Sequence, residues 1–244
     1  MESKTDRFGI IILIGRPAAG KSEVIDYLKK TSVPERVRRF HIGAFEEIDD
    51  FPMLWTWFEE DAILEKIMNK PRIHSDSDGY FLQQYQWDLL IERISMEYKK
   101  KLRDAGYAEN TTTILEFSRG TEHGGYASAF RHLSEEILDK ACVVYIDVPY
   151  EESLRKNRRR FNPDRPDSIL EHGLPDKKLE RLYKDVDWES FKGNDPAFIH
   201  FAGRKIPYAV FDNMPEKTDK PAVLGAYLED VLNKLWSAWQ EVKP

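Results

Sequence analysis

With 244 residues, 41% apolar and 33% charged, the chain has the size and composition of one globular α/β domain with insertions, and is too apolar for a disordered chain. A net charge of −6 speaks against a dedicated nucleic-acid binder, which usually carries a basic surplus. The single cysteine, Cys142, excludes an internal disulfide, and no segment reaches the ~20 apolar residues of a membrane span, so a cytoplasmic protein without membrane contact is expected.

In chain order, residues 9–14 (GIIILI) form an apolar run that does not alternate, which reads as a strand buried on both faces. A glycine-bearing loop follows over 15–22, then a helical pattern over 21–30. Residues 39–42 are a weaker strand candidate. The stretch 46–79 is rich in acids and aromatic residues, and 80–104 carries Leu82, Tyr85, Leu89, Ile94, Tyr98 and Leu102 at near-helical spacing. Residues 111–117 (TTTILEF), 142–148 (CVVYIDV) and 206–211 (IPYAVF) complete a set of five strands, with Cys142 expected as a buried structural thiol. Helical patterns span 121–140, 150–160, 176–185 and 221–242, and a loop rich in Pro, Asp and Gly spans 161–175. Strands alternating with helices predict parallel pairing through right-handed crossovers, hence a doubly wound, three-layer α/β sheet. The chain is expected to be a single domain, 1–244, with a helical insertion about 46–105 and a lid about 150–190.

Gly15-Arg16-Pro17-Ala18-Ala19-Gly20-Lys21-Ser22 matches the phosphate-binding pattern GxxxxGK[ST] at every fixed position. Glycines let successive N–H groups face one anion, and the helix behind adds its free N–H groups and positive dipole end. All eight residues are expected at the nucleotide, with Lys21 on the β- and γ-phosphates and the Ser22 hydroxyl on Mg²⁺. The guanine-reading NKxD element is absent, which argues against a signalling GTPase. Asp76-Ser77-Asp78-Gly79 fits DxxG without a preceding strand and reads as a polar loop capping the helix after it.

Three further features point to phosphoryl transfer. Glu116 and Arg119 fall at the carboxyl end of a central strand, where open α/β sheets bind ligands. Glu116 suits ordering Mg²⁺ or accepting a hydroxyl proton, and Arg119 suits an acceptor anion. Pro149 opens a helix carrying Arg155, Lys156, Arg158, Arg159 and Arg160. Arg155 and Arg159, four apart, share a face fit to clamp a transferring phosphoryl group, with Arg165 joining from the loop beyond. The last strand ends in Asp212-Asn213-Met214-Pro215, which makes Asn213 a candidate for the purine pocket.

This order of glycine loop, acidic strand end, arginine-bearing helix and short final strand resembles the P-loop kinase group of nucleoside, nucleoside-monophosphate and small-metabolite kinases. The resemblance implies ATP and Mg²⁺, a five-stranded parallel sheet of order 2-3-1-4-5 and a closing lid. It departs where Glu116 stands in place of the more usual Asp, and Glu116-Phe117-Ser118-Arg119 matches the deoxynucleoside kinase element only loosely, so the acceptor does not transfer with it.

The acceptor is expected between the second and third strand ends and the insertion, with Asp49 and Asp50 orienting its hydroxyl and Arg39 or Arg119 holding any phosphate it carries. The reading is a Mg-ATP-dependent phosphotransferase acting on a small hydroxyl- or phosphate-bearing molecule, nucleosides and nucleotides favoured. Its rivals are a regulatory NTP-binding module and a polynucleotide 5′-end kinase, the latter disfavoured by the acidic charge. Trp236 and Trp239 suit either a core or a homodimer seam.

Overall fold

The computed structural model describes residues 6–104, 111–161, 164 and 173–242. Arg165 and most of the 161–175 loop lie outside the described residues.

The first strand, β1 (Ile10–Gly15), is buried along its whole length and sits in the middle of a six-stranded sheet. Successive strand side chains point to opposite faces, so a run of apolar residues must be covered twice. Ile10, Ile12 and Ile14 enter one apolar cluster, while Ile11 and Leu13 enter the other. Each buried isoleucine of this kind contributes about 1.5–3 kcal/mol. The second cluster is closed by α1 (Lys21–Lys30), α2 (Val33–Phe40) and α10 (Pro221–Val242). The first is closed by α4 (Tyr85–Asp104), α5 (Gly125–Arg131), α6 (Glu135–Lys140) and α9 (Trp188–Lys192). Three layers result.

β2 (Ala44–Asp49), β3 (Thr111–Phe117), β4 (Ala141–Asp147) and β6 (Arg204–Asp212) run parallel to β1, in the order β2-β3-β1-β4-β6. The expected core order therefore holds, with one strand more than expected. β5 (Phe198–Phe201) pairs antiparallel to β6 at the edge, joined through Ala202 and Gly203, both at positive φ. Two positive-φ residues in a two-residue connection are what a hairpin's twist requires.

The expected strand over 39–42 is corrected. Arg39 and Phe40 end α2, His41 caps it, and the second strand is Ala44–Asp49. Pro34 suits the first turn of a helix, and the buried Arg36 guanidinium donates to the carbonyls of Leu28, Thr31 and Gly43, pinning α2 beneath the sheet edge. β2 gives no apolar run because it is an edge strand paired only to β3, with Glu46 and Glu47 along it. The expected helix over 121–140 is a 3₁₀ turn, Thr121–His123, followed by α5 and α6. Gly124 and Gly125, both at positive φ, break it first, and Ser134 caps α6 by accepting from the Ile137 N–H. The helix expected from residue 80 begins at Tyr85, because Asp76 instead ties its own loop by accepting from the N–H groups of Asp78 and Tyr80. Two further helices matter for the site: α3 (Asp50–Lys66) and α7 (Tyr150–Arg160), the latter with the expected bounds. α8 (Asp176–Tyr183) packs beside α7 through Leu154, Tyr150 and Leu179.

Cys142 is a buried free thiol whose Sγ donates to the Ile10 carbonyl. Trp236 and Trp239 pack edge-on to Phe8 at 5.1 and 6.0 Å, and Trp236 stacks on His41 at 4.1 Å. No described helix is long and apolar enough to cross a membrane.

Candidate active site

The loop between β1 and α1 curls at the carboxyl ends of the strands. Ala18 sits at φ 56° and Gly20 at φ 120°, a conformation that favours glycine. A Cβ on Gly20 would lie 2.8 Å from Thr218 Cγ2 and 3.0 Å from Asn213 Nδ2, so position 20 is closed to side chains by space as well as by torsion. A Cβ on Gly15 would lie 2.6 Å from the Ile146 carbonyl oxygen. The fixed glycines of the motif are thus demanded by contacts with β4 and with the loop after β6. No side chain caps the start of α1, so its first N–H groups are left for a ligand.

Asn213 braces this loop from behind. It is fully buried, donates to the carbonyl of Ala19 and the hydroxyl of Thr218, and accepts from the Lys217 N–H. This corrects the purine-pocket expectation: its amide is committed to Ala19, Thr218 and Lys217, and it lines neither of the two cavities at the site. Arg16 is also a brace, its guanidinium donating to the carbonyls of Val148, Tyr183 and Lys184.

Lys21 is buried, and its ammonium donates to the Arg16 carbonyl at 3.1 Å and to Ser118 Oγ at 2.8 Å. Glu116 Oε1 lies 3.8 Å away. The parallel register sets Asp49 opposite Glu116 across β2 and β3, which gathers carboxylates at one sheet end. Glu47, Asp49 and Glu116 each bring an oxygen within 4.8 Å of the others. Burial, then repulsion from Glu116 and Asp50, pushes Asp49 up to about 8; burial raises Glu116 to about 7 against the pull of Lys21. Asp49 also caps α3, accepting from the Phe51 N–H at 2.9 Å.

Asp50 is spent otherwise. It accepts from Arg119 Nη1 at 2.6 Å, and Arg119 also donates to the carbonyls of Ser118 and Trp87 while lying over the Trp87 and Phe117 rings. Arg119 is only 2% exposed. The pair borders the cavity but its charges are already matched, so the expectation of Arg119 as an anion holder and Asp50 as a hydroxyl orienter is not met by free groups.

Lys21, Ser22, Asp49, Glu116 and Arg159 all border one cavity of about 410 Å³. On α7, Arg155 and Arg159 share a face as expected, both donating to Glu216. Of the α7 arginines only Arg159 and Arg160 reach the cavity wall, beside Lys156 and Asn157. Arg155 is held outside it by Glu152 and Glu216, which corrects its placement at the phosphates. Arg39 is likewise removed from the acceptor: it pairs with Glu229 and Glu35 on the α10 side of the sheet. Trp87, one of the aromatic residues expected to stack on an acceptor, and Lys156, read on the basic helix without a role, both stand in the wall, whereas sequence reasoning gave no role to Ser118 and Tyr183. Of these two only Ser118 carried a signal, since it lies between Glu116 and Arg119 at a strand's carboxyl end.

A second cavity of about 410 Å³ adjoins the first, with Phe51, Leu54, Trp87, Leu174 and Tyr183 bordering both. It lies among α3, α8 and the loop before α4.

No family model and no curated protein matches the sequence. Among solved structures, an unliganded sugar kinase from Janibacter sp. HTCC2649 aligns with 95% of this chain and 98% of its own at 13% identity and a TM-score of 0.45. Shikimate kinase from Acinetobacter baumannii, in complex with shikimate, aligns over 72% of this chain and 76% of its own at 14% identity and a TM-score of 0.32. A protein designated APE1195 aligns over 93% and 98% at 12% identity and a TM-score of 0.38.

Proposed function

We propose that this chain is a Mg-ATP-dependent phosphotransferase that moves the γ-phosphoryl group of ATP to a small acceptor, within a single domain. The observation that carries the reading is the meeting of two cavities along shared residues: one bordered by the phosphate loop and carboxylates, the other aromatic and lined by no residue of the loop. A nucleotide-sensing module has no need of the second; a transferase does.

The donor set fits the expected groups. Glu47, Glu116 and the Ser22 hydroxyl are oxygen donors suited to a hard divalent cation, with the Asp49 carboxyl beside them left for the acceptor. When bound, Mg²⁺ would neutralise phosphate oxygens and help align donor and acceptor. Lys21, freed from the Arg16 carbonyl, would bind the β- and γ-phosphates, and the curled backbone from Gly15 to Gly20 would cradle them. Glu116, beside Lys21, stands on the metal side. Asp49 stands on the acceptor side, two residues before Phe51 in the wall of both cavities. We assign Asp49 the acceptor hydroxyl's proton, because burial has raised its carboxyl into the range where a base accepts and returns a proton near neutrality. Arg159 would stabilise the transferring phosphoryl group on leaving Glu216. The Arg159 side chain is half exposed and Glu216 would keep Lys156 and Arg155 as partners, so the carboxylate is not stranded by the exchange.

The test is ADP release from Mg-ATP against nucleosides, nucleoside monophosphates and hydroxylated metabolites, with Lys21→Ala as the blank. Stimulation by one compound class supports the reading and names the acceptor. A flat panel with intact ATP binding overturns it in favour of a regulatory module, and stimulation by DNA or RNA 5′ ends alone, falling steeply with salt, favours a polynucleotide kinase.

A further inference from the structure

The second cavity has a chemistry of its own. Phe51, Trp55, Phe58, Tyr80 and Phe81 supply ring faces, more aromatic surface than the hydroxyl of a sugar or polyol can use. Its cations differ in how they are held. Arg72 is paired with Glu65 and Asp61, and Arg181 with Glu122 at 2.8 Å while lying over the Tyr80 ring at 4.4 Å. Lys178 stands apart. Its ammonium lies 5.4 Å from the Phe58 ring centre and 5.0 Å from that of Tyr80, and donates to the carbonyls of Asp78 and Gly79. Among the described residues no carboxylate comes within ion-pair distance of it; Asp76 and Asp78 act only from farther off.

The loop is shaped to admit this ammonium. Gly79 adopts φ 74°, a torsion that favours glycine, and Lys178 Nζ comes to 2.7 Å from where a Cβ would stand. Burial lowers the lysine's proton affinity, as expected for a cation set among rings without a counter-charge. Such an arrangement costs stability that an incoming anion would return.

Building on the phosphotransferase reading, the geometry points to the acceptor class: a planar, aromatic-ringed molecule carrying a carboxylate or phosphate. Its ring fills the second cavity, its anion meets Lys178, and its reactive oxygen passes Phe51 and Trp87 to reach Asp49. A volume of about 410 Å³ accommodates one or two fused rings.

Three probes of similar length separate the contributions: a hydroxymethyl-naphthoate (ring and anion), its methyl counterpart (ring only) and a hydroxynonanoate (anion only). Binding is read by quenching of tryptophan fluorescence, since Trp55 and Trp87 stand in the wall, in the presence of Mg-ADP. The naphthoate is expected to bind about tenfold or more tighter than either other probe, as a charge-assisted contact in a partly dry site predicts. Lys178→Met, which keeps the aliphatic stem, should remove that advantage and leave the ring-only probe within about twofold; Lys178→Arg should restore most of it. Equal binding of the charged and neutral rings, loss of both in Lys178→Met with an unchanged melting temperature, or no binding of any probe overturns the proposal. Turnover of Mg-ATP is scored separately. Tight, Lys178-dependent naphthoate binding in a protein that transfers no phosphoryl group would sustain the ligand class while refuting the transferase.

Discussion

Replacing Glu116 by Gln should make the protein increasingly more stable than the wild type as the pH rises and, on the proposed reading, remove phosphoryl transfer. The carboxyl is buried between Lys21 and Asp49, and its proton affinity is raised from an ordinary 4.5 to about 7, burial outweighing the attraction of Lys21. A carboxyl raised in this way favours the folded state while protonated. Stability is therefore full below the ordinary value and declines as pH rises toward 7. At pH 8 the wild type carries the whole penalty, about 3 kcal/mol at a rate of about 1.4 kcal/mol per tenfold change in proton affinity. Gln resembles the protonated acid and escapes it. For a chain of 244 residues, about 2 °C of melting temperature corresponds to 1 kcal/mol. The difference between variant and wild type should thus widen by about 6 °C between pH 4 and pH 8 in pH-resolved thermal unfolding. Adding Mg²⁺ with ADP at pH 8 should raise the wild type more than the variant, because only the ionised carboxylate attracts the ion. A difference that is flat across this range would refute the claim that a desolvated carboxylate stands at the end of β3, and with it the electrostatic basis of the site.

Other substitutions separate residues that look alike in the sequence. Arg159→Ala should lower turnover by about 10- to 100-fold with ATP affinity nearly unchanged, whereas Arg155→Ala, held by Glu152 and Glu216 outside the cavity, should stay within about twofold. Steady-state kinetics on both variants decides this, and equal effects would move the catalytic arginine elsewhere. Asn213→Ala should cost about 2–3 kcal/mol, since it leaves buried partners at Ala19, Lys217 and Thr218 unmatched; chemical denaturation measures it, and a loss below about 0.5 kcal/mol would contradict the bracing role. Gly20→Ala should abolish nucleotide binding by calorimetry, since its Cβ would collide with Thr218 and its torsion is strained by about 1–3 kcal/mol.

The glycine loop, β1, β3 and the helices α1, α7 and α10 were legible because each is set by short-range chemistry: an anion-binding turn, an apolar run or a periodic face. What escaped was set at long range. β2 is an edge strand of acids and alternating exposure, held by its register with β3, so nothing local distinguishes Ala44–Asp49 from a polar loop. β5 needed its hairpin partner to be seen, although the Ala202–Gly203 pair after an apolar stretch was a usable turn signal. The same limit applies to charges. Arg39, Arg119, Arg155 and Arg159 are one residue type in similar polar settings, yet one is turned to α10, one is buried against Asp50, one is held by Glu152 and Glu216, and one reaches the cavity. Which partner a guanidinium finds depends on elements 60 to 190 residues away, as with Arg155 and Glu216 or Arg39 and Glu229.

Three consecutive residues at the junction of β2 and α3 do separate work. Asp49 caps α3 while presenting its carboxyl to Glu116; Asp50 locks Arg119 against Trp87; Phe51 walls both cavities. A carboxylate, a rigid floor and a wall are thereby fixed to one turn of backbone, and their place relative to the phosphate loop follows from the pairing of β2 with β3. Tilting α3 would shift all three at once and disturb the chemistry. Substitutions farther along α3 and on α8, at Phe58 and Lys178, lie away from that turn, while Trp55 meets it through the Phe51 ring at 5.8 Å. On the proposed reading, the fold separates the reaction, anchored at the strand ends, from acceptor choice, carried by helices and the loop that leans on Lys178. Exchanging those side chains should alter which molecule is phosphorylated before it alters whether phosphoryl transfer occurs.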